Sequence, residues 1–399
     1  MPTSAYLHIP FCRRRCFYCD FPISVVGDHP RGETAAVMET YVDALCQEIE
    51  VTPRIDQPLQ TIFFGGGTPS LLSVKQLEVI LSTLQNCFGF AARPEISMEM
   101  DPGTFTLDQV KGFCEAGINR ISLGTQAFQD DLLQVCGRSH TVAQIYEALE
   151  MIAQVGLANF SLDLISGLPQ QTLAQWERSL DCAISTHPAH LSTYDLVLEP
   201  TTAFGKRYQP GHQPLPTDET AADMYRLATQ RLSAAGYRHY EVSNYARPGF
   251  ECHHNQVYWR NEAYYGFGMG ATSYVNLQRF NRPRTRDAYL AWVEDLIAAQ
   301  GHIACPVDTQ QDRLLETLML GLRLTEGLRI ADLQQQFGAV AVTQIIQCLE
   351  SYPDWGLVDR NTGTLRLTDP EGFLFSNQVL VSLWDAVSDE AASTPYTRG

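Results

Sequence analysis

A repeated alternation of short apolar runs and helical patterns most constrains the fold of this 399-residue chain. The run LQTIFFGG precedes the helical pattern SVKQLEVILSTLQNCF, and NFSLDLISG precedes TLAQWERSLDCAI in the same way. About six such units come before residue 245, by this reading of periodicity. Strands joined through helices form a parallel sheet with right-handed crossovers. We therefore predict an α/β fold, a partial (β/α)6 barrel, with a doubly wound sheet as the weaker alternative.

The pattern changes after residue 245, which predicts a division into domains. Residues 1–245 hold the strand–helix units and the motifs of a cofactor site. Residues 246–305 are rich in glycine and aromatic residues and form a connecting region. Residues 306–385 read as helix, helix and a hairpin turned at Asn361–Gly363, which resembles a small winged-helix α+β module. Residues 386–399 are expected to be a disordered tail.

Charge and apolar patterning limit the partners and the compartment. The net charge of −17 repels phosphate backbones and argues against nucleic acid as a partner. A winged-helix nucleic-acid-binding protein is therefore the remote alternative. No apolar run reaches the roughly 20 residues of a membrane span, and the first ten residues lack the features of a signal peptide. We expect a cytoplasmic location, where cysteines are mostly reduced or bound to metal.

Three of the eleven cysteines fall in one short loop, HIPFCRRRCFYCDF. Cys12, Cys16 and Cys19 have the spacing C-x3-C-x2-C. A [4Fe–4S] cluster usually takes four cysteine ligands, so three nearby thiolates leave one iron open to an exchangeable ligand. The alternatives are chance clustering and a zinc site. Zinc favours a fourth cysteine or histidine nearby, and Asp20 and Phe21 occupy the obvious positions.

Polar and glycine-rich segments follow the predicted strands. The segment Phe63–Ser70 contains three glycines, which let the backbone approach a ligand closely and leave N–H groups unpaired. The helix expected to start near Ser73 adds a favourable N-terminus for a carboxylate. The alternative for the glycines is a tight turn. Other polar residues at strand ends are Glu99, Gln126, Arg138 and Asp163. The alternative for Arg138 and Asp163 is a structural ion pair.

The cysteine spacing and the whole chain resemble the radical S-adenosylmethionine (SAM) superfamily. In that superfamily the amine and carboxylate of SAM chelate the open iron, and the resemblance assigns Gly66, Gly67 and Thr68 to the methionyl end. The segments YLHIPFC, GGGTPS, DLISGLPQQT and LMLGLRLTEGL resemble the oxygen-independent coproporphyrinogen III dehydrogenases and their relatives. That likeness covers nearly the full chain. It implies a SAM site, holding one or two SAM molecules, built from Tyr6, Tyr18, Gly66, Gly67, Thr68, Glu99, Gln126, Arg138 and Asp163.

Three departures separate the chain from the dehydrogenases. The dehydrogenases carry another cysteine two positions after the third, where this chain has Phe21. They also have a long extension before the first strand, whereas here Tyr6 lies close to the first residue. The segment HNQVYW resembles the signature of the HemW-type heme chaperones. This resemblance implies a chaperone that carries heme as cargo to acceptor proteins. A radical SAM enzyme acting on a porphyrinogen is the alternative.

The HNQVYW segment is the predicted heme site. His254 is the expected iron ligand, because a neutral imidazole commonly holds heme iron. Asn255 and Gln256 would orient the ring or meet the propionates, while Tyr258 and Trp259 offer flat apolar surfaces. The alternative iron ligands next to His254 are Cys252 and His253. The alternative is a loop that seals the open side of the barrel, with His254 hydrogen-bonded internally.

The resemblance also has implications for heme stoichiometry, heme affinity and oligomeric state. It implies one heme per chain, with binding weaker than in a permanent heme enzyme because the cargo must be released. It allows a homodimer that depends on the cluster and peripheral membrane association through partners. It does not identify the acceptor proteins.

Overall fold

The structure is a computed structural model that describes residues 1–27, 36–54 and 57–388 of the chain. The predicted disordered tail lies outside the described residues from 389 onward, and residues 386–388 belong to the last helix. No helix in the described ranges is long and apolar enough to cross a membrane.

The elements follow one another in an α/β order. The strands of the described residues are β1 (Ser4–Ile9), β2 (Phe11–Cys12), β3 (Ser24–Val25), β4 (Leu59–Gly66), β5 (Phe90–Met100), β6 (Arg120–Gln126), β7 (Phe160–Ser166), β8 (His190–Asp195), β9 (Arg238–Glu241), β10 (Asn244–Ala246), β11 (Tyr265–Phe267), β12 (Thr272–Val275), β13 (Gln278–Asn281), β14 (Leu328–Arg329), β15 (Gly356–Asp359) and β16 (Thr364–Leu367). The helices are α1 (Ala36–Val51), α2 (Val74–Phe88), α3 (Leu107–Ala116), α4 (Asp130–Val135), α5 (Val142–Gln154), α6 (Leu173–Ser185), α7 (Ala203–Arg207), α8 (Asp218–Ala234), α9 (His253–Trp259), α10 (Arg286–Ala298), α11 (Gln310–Gly321), α12 (Ile330–Phe337), α13 (Ala339–Glu350), α14 (Glu371–Leu374) and α15 (Ser376–Ser388).

The chain divides into two compact units. The first comprises residues 1–237, 245–257 and 262–307, and the second comprises residues 238–244, 258–261 and 308–399. The chain therefore passes from one unit to the other several times before residue 308.

A parallel sheet forms the centre of the first unit. Its strands lie in the order β11-β1-β4-β5-β6-β7-β8-β10, and every neighbouring pair from β11 to β8 is parallel. Each of the five strands β4 to β8 leads directly into helix, and β1 leads into α1 after the short strands β2 and β3. This order confirms the predicted α/β fold of the radical SAM type. The central strands are buried on both faces, as parallel strands are.

Strand β11 was not predicted. Its residues Tyr265–Phe267 are buried and pair in parallel with Ala5–Leu7 of β1. A strand of three residues is too short to show a period in the sequence. The pairing gives β1 a neighbour on each side, with β4 on the other.

Four helices in the first unit begin with the same N-terminal capping arrangement. The side chain of Ser73 accepts a hydrogen bond from the backbone N–H of Gln76 at 3.2 Å, and Gln76 accepts one from the backbone N–H of Ser73 at 2.9 Å. This capping box satisfies two groups that a helix start leaves unpaired. It confirms Ser73 as the predicted N-cap. The same arrangement, with glutamine at the third position, starts α3, α5 and α6 at Thr106, Thr141 and Thr172.

A buried charge fixes the segment after residue 262 to α1. The Glu48 carboxylate accepts hydrogen bonds from Arg282 Nε at 2.7 Å, Tyr289 OH at 2.7 Å and the backbone N–H of Gly268 at 2.8 Å. Glu48 and Arg282 are both almost fully buried, so each charge depends on the other. The connecting region is therefore held firmly against the barrel.

The second unit contains helices and a small sheet. Helices α11, α12 and α13 precede the antiparallel hairpin of β15 and β16, in which Asp359 pairs with Thr364. Strand β14 adds to β16, giving the order β14-β16-β15. The order of helices and hairpin confirms the winged-helix-like α+β prediction.

Candidate functional site: the cysteine loop and the strand ends

The cysteine loop and the glycine segment meet at the carboxyl ends of β1 and β4. These strands are paired in register from Ser4–Thr61 to Ile9–Gly66, so both leave the sheet at the same edge. Parallel sheets place their functional groups at this edge. The loop that begins at Cys12 therefore lies directly beside Gly66 and Gly67.

The three glycines are required by close packing. A Cβ on Gly65 would lie 2.8 Å from Tyr6 Cε2, and one on Gly66, whose φ is +112°, would lie 2.5 Å from His8 Cε1. A Cβ on Gly67 would lie 2.7 Å from the Phe11 carbonyl oxygen and 3.0 Å from Cys12 Sγ. A larger residue at Gly67 would therefore displace the cysteine loop, and one at Gly65 or Gly66 would displace Tyr6 or His8.

The expectation that the glycine N–H groups are unpaired is wrong for two of them. The N–H of Gly66 donates to Glu99 Oε2 at 3.0 Å, and the N–H of Gly67 donates to the Ile9 carbonyl at 2.8 Å. A buried backbone donor without a partner is costly, and the neighbouring strands supply the acceptors. The glycines serve the approach of the cysteine loop as well as any ligand.

The thiols of the loop are partly buried and hydrogen-bonded. Burial raises the pKa of Cys12 to about 12 and raises the pKa of Cys19 above its usual value. Thr68 Oγ1 donates to Cys12 Sγ at 3.6 Å, and Arg138 Nη1 donates to Cys16 Sγ at 3.5 Å. Thiols with raised pKa values become thiolates when iron binds and displaces the protons.

Arg138 brings a buried positive charge to the cysteine loop. Its guanidinium forms an ion pair with Asp101, donates to the Gly124 carbonyl at 3.0 Å and donates to Tyr18 OH at 3.4 Å. Although burial disfavours the charged form, the nearby Asp101 carboxylate keeps the pKa of Arg138 above its usual value. Asp101 also accepts a hydrogen bond from Thr68 Oγ1 at 3.3 Å.

Two further predicted residues, Glu99 on β5 and Asp163 on β7, are partly buried and lie close enough to interact electrostatically. Burial and the nearby Asp163 carboxylate raise the pKa of Glu99 to about 8. Burial also raises the pKa of Asp163, although Ser122 Oγ donates to it at 2.9 Å. Glu99 can therefore change its protonation state near neutral pH.

The remaining predicted SAM residues are Tyr6, within β1, and Gln126, at the end of β6. Tyr6 OH is 3.0 Å from His8 Nδ1, and burial raises the Tyr6 pKa well above its usual value. Gln126 ends β6 with a φ of 65°, a left-handed conformation that is uncommon outside glycine and recurs at functional sites. Its Nε2 lies 3.1 Å from where a Cβ on Gly124 would stand, close to the Arg138 guanidinium.

The residues present fit an iron–sulfur cluster with a ligand beside it. Three cysteines share one loop, two of their sulfurs accept hydrogen bonds, and Arg138 adds positive charge next to a group that would carry thiolates. Within the described ranges, no three histidine, cysteine, aspartate or glutamate side chains converge on a single metal-ion position. A cubane cluster presents its irons at separate corners, so its ligands need not converge on one point.

His254 lies in the interior of the first unit. Its Nδ1 is 2.7 Å from Thr61 Oγ1, its ring stacks on Phe63 with centroids 5.2 Å apart, and it is 0% exposed. Burial lowers its pKa to about 3, so the imidazole is neutral. This conformation matches the alternative of an internally hydrogen-bonded histidine. Heme ligation by His254 remains a prediction and requires this packing to open.

The other residues of the HNQVYW segment have mixed exposure. The carboxylate of Glu95 accepts hydrogen bonds from the N–H groups of His253 at 2.9 Å and His254 at 3.0 Å, and from Cys252 Sγ at 3.6 Å. His253 is exposed and Cys252 is buried. The partly exposed residues are Asn255, Gln256, Tyr258 and Trp259.

Comparison with known proteins shows the family of this chain. Residues 6–183 match the model of the Radical SAM superfamily, and residues 308–375 match the HemN C-terminal domain. A curated relative from Synechocystis sp., named heme chaperone HemW, is 49% identical over 98% of this chain and 98% of its own length. The relative of the same name from Bacillus subtilis is 35% identical, over 94% of this chain and 97% of its own length. The chain belongs to the HemW family.

A solved structure supports the fold of this HemW-family chain. Coproporphyrinogen III oxidase (HemN) from Escherichia coli, described as a radical SAM enzyme, superposes with a TM-score of 0.77. The match covers 96% of this chain and 90% of that chain at 23% identity. At this identity the likeness concerns the fold.

Two residues at the site of this HemW-family chain were not predicted. Asp101 pairs with Arg138. The sequence feature that could have identified Asp101 is its position directly after β5, two residues beyond Glu99. His8 lies under Gly66 and its Nε2 is 2.9 Å from the Pro22 carbonyl, with burial lowering its pKa to about 4. The sequence signal for His8 was a histidine at the start of the cysteine loop.

Proposed function

We propose that this chain is a heme chaperone, which binds heme and transfers it to acceptor proteins on a radical SAM scaffold. The observation that carries the proposal is 49% identity, over 98% of each chain, to a relative named heme chaperone HemW. Phe21 agrees with it, because this position in the resembling dehydrogenases holds a further cysteine. Phe21 is 58% exposed, and a phenyl ring offers no ligand to iron.

The proposed cofactors are a [4Fe–4S] cluster held by Cys12, Cys16 and Cys19, and SAM at the neighbouring strand ends. When bound, the cluster and SAM supply one-electron chemistry. The chain itself contributes packing, charge and hydrogen bonds. Glu99 is suited to accept hydrogen bonds from ribose hydroxyls, and Arg138 is suited to neutralise a carboxylate.

The proposed cargo site includes His254, with Asn255, Gln256, Tyr258 and Trp259 around it. Because His254 is buried and bonded to Thr61, this site forms only when the start of α9 leaves the interior. Such a requirement weakens apparent heme affinity, since only the open population binds. A moderate affinity suits a protein that must release its cargo. A cytoplasmic location, a cluster-dependent dimer and membrane association through partners belong to the same proposal.

The deciding experiment measures heme binding, heme transfer and porphyrinogen turnover in one preparation. The protein is reconstituted with iron and sulfide under anaerobic conditions, loaded with ferric heme and mixed with an apo-heme protein. We expect a stable heme complex, transfer to the acceptor and no conversion of coproporphyrinogen III with SAM and a strong reductant. Robust conversion without heme binding would overturn the chaperone function in favour of the enzyme.

The cluster is tested separately from the cargo. Replacing any one of Cys12, Cys16 and Cys19 by Ala should abolish stable assembly of the cluster, because thiolates supply most of its binding. Cys182→Ser, which changes a half-buried thiol on α6, serves as the control. Iron and sulfide content is the measurement. Normal content in all three variants would remove the cluster from the proposal.

A further inference from the structure

A fourth cysteine of the first unit lies against the cysteine loop. Cys136 directly follows α4, and its side chain is 0% exposed. The backbone N–H of Phe17 donates to the Cys136 carbonyl at 3.0 Å. Because Phe17 directly follows Cys16, this hydrogen bond brings the backbones of Cys16 and Cys136 together. A thiol that is remote in the sequence is therefore a neighbour of a proposed cluster ligand.

The segment 136–138 is packed tightly against the loop. A Cβ on Gly137 would lie 3.3 Å from the Phe17 ring, so the ring lies directly over this glycine, whose φ is +74°. Arg138 Nη1 donates to Cys16 Sγ at 3.5 Å. These contacts hold the Cys16 part of the loop in one position against the segment.

The two cysteines are close enough for a disulfide. A disulfide joins Cα atoms that are no more than about 7 Å apart. The hydrogen bond from Phe17 places the Cα atoms of Cys16 and Cys136 within that reach, because only one peptide unit and the Cys136 carbonyl separate them. The thiols also interact electrostatically, since burial and then the nearby Cys16 sulfur raise the pKa of Cys136 to about 12.

The two thiols differ in their access to oxidants. Cys16 is partly exposed and contacts the Arg138 guanidinium. An accessible thiol beside a positive charge is the type that peroxide oxidises first, because the thiolate is the reacting form. Cys136 is fully buried, so an oxidant in solvent does not reach it directly. Its available reaction partner is the oxidised form of Cys16.

We propose that Cys136 is a resolving cysteine, which forms a disulfide with Cys16 when hydrogen peroxide oxidises the chain in its cluster-free state. The Cys16 thiolate attacks an oxygen of peroxide, the O–O bond breaks, and a sulfenic acid and hydroxide form. The Cys136 sulfur then attacks the Cys16 sulfur, the S–O bond breaks, and the hydroxyl group leaves with the Cys136 proton as water. Two electrons pass from the thiols to peroxide for each disulfide.

The disulfide protects Cys16 and delays cluster assembly. Without a resolving thiol, a sulfenic acid passes to a sulfinic acid, which a dithiol does not reduce, whereas a disulfide is reduced readily. The delay rests on the proposed function, in which Cys16 is a cluster ligand, and the disulfide itself does not. Assembly then resumes once a dithiol reductant has released Cys16.

The test oxidises the full chain before its cluster is reconstituted. Reduced, cluster-free protein is treated with hydrogen peroxide, free thiols are alkylated with iodoacetamide, and the digest is examined by mass spectrometry without reductant. We expect peptides joined through Cys16 and Cys136 as the main product of wild type. Fragment spectra distinguish this bond from a disulfide between Cys16 and Cys19. The bond between Cys16 and Cys19 without the Cys136 link would overturn the inference.

A second measurement follows the recovery of cluster assembly. After dithiothreitol, oxidised wild type should regain its full iron and sulfide content on anaerobic reconstitution, whereas Cys136→Ser should regain roughly fivefold less. Without peroxide, Cys136→Ser and Cys136→Ala should both incorporate iron and sulfide like wild type, which shows that they fold. Cys114→Ser, which changes a half-buried thiol on α3, should match wild type throughout. Equal recovery in wild type and both Cys136 variants would overturn the protective role.

Failure of the proposed cluster gives a different result from failure of the disulfide. If the link between Cys16 and Cys136 forms but unoxidised wild type incorporates no iron and sulfide, the disulfide stands and the cluster assignment fails. If unoxidised wild type incorporates its cluster and no link forms after peroxide, the disulfide is overturned and the cluster stands.

Discussion

At Asp101, one carboxylate contacts two side chains that reach the cysteine loop. It pairs with Arg138, which donates to Cys16 Sγ, and it shares the single hydroxyl proton of Thr68 with Cys12 Sγ. Hydrogen bonds and charge near cluster sulfurs set the reduction potential of an iron–sulfur centre. Asp101 is therefore a positioning residue for the proposed cluster.

Replacing Asp101 with Asn should raise the reduction potential of the reconstituted cluster. The Arg138 charge would lose its counter-charge and would favour the more negative, reduced state. Breaking such a buried pair also lowers the free energy of unfolding by roughly 3 kcal/mol.

Potentiometric titration followed by electron paramagnetic resonance measures the reduction potential of the Asp101→Asn variant. Asp181→Asn, which removes an exposed pair with Arg231, is the matched control and should change neither quantity appreciably. An unchanged potential in Asp101→Asn would contradict the positioning role.

Glu99→Gln should change how stability depends on pH in the cluster-free protein. The Glu99 pKa is about 8 in the folded state against an ordinary 4.5, so the folded state holds the extra proton between these values. The unfolding free energy of wild type therefore falls as pH rises from about 4.5 to 8 through this group. Glutamine does not titrate, so the variant should gain up to a few kcal/mol relative to wild type by pH 8.5.

Denaturant unfolding at pH 5 and pH 8.5 measures this difference. The exposed Glu115→Gln on α3 is the control, and its difference from wild type should not vary with pH. Parallel pH profiles for wild type and Glu99→Gln would show that Glu99 is ionised in the folded state across the range.

At the scale of elements, helix α9 is fixed by its first residues. Glu95 of β5 binds the N–H groups of His253 and His254, where a carboxylate interacts favourably with the helix N-terminus. Thr61 of β4 binds the His254 ring. Access to His254 therefore depends on how firmly two neighbouring strands hold this short helix.

Glu95→Gln should loosen α9 without changing its shape. Loss of the charge should cost about 1–2 kcal/mol locally and speed amide hydrogen exchange at residues 253–257. If His254 binds heme after opening, the same change raises apparent heme affinity roughly 5–30-fold. Glu78→Gln, an exposed change on α2, should leave both exchange and heme affinity as in wild type. Faster amide exchange with unchanged heme affinity would show that heme binding does not depend on access to His254.

The long βα units could be predicted from the sequence, whereas β11 and the packing of α9 could not. Strands such as Leu59–Gly66 and helices such as Val74–Phe88 span enough residues for a clear period. Residues Tyr265–Phe267 are recognised as a strand by their pairing with β1, from which more than 250 residues separate them in the chain. The burial of His254 depends on Thr61 and Phe63, nearly two hundred positions earlier in the chain. Motif spacing carries no information about such contacts.

At the scale of the whole molecule, the second unit is assembled from three parts of the chain. Residues 238–244 and 258–261 join residues from 308 onward in this unit. The backbone N–H of Val242 donates to the Arg323 carbonyl at 2.9 Å, and Arg260 pairs with Glu326 at 3.0 Å. The domain boundary predicted at residue 306 assigns these two short segments to the preceding domains instead.

A fragment of residues 308–388 should therefore be less ordered than the same residues in the full chain. It lacks the backbone partners from 238–244, so we expect faster amide exchange around residues 321–329. Hydrogen exchange by mass spectrometry compares the two. Arg260→Ala in the full chain removes only an exposed ion pair and should keep the slow exchange. Equal protection in fragment and full chain would show that residues 308–388 fold independently.

The pairing of β1 with β11 also sets an order of events during synthesis. Strand β1 ends at Ile9 and its partner β11 ends at Phe267, so 258 residues separate them. At about 5–20 residues per second, ribosomes need roughly 13–50 s to make that stretch. During this time the strand that leads into Cys12, Cys16 and Cys19 has one edge uncovered. We therefore expect the proposed cluster to be inserted after translation has passed residue 267.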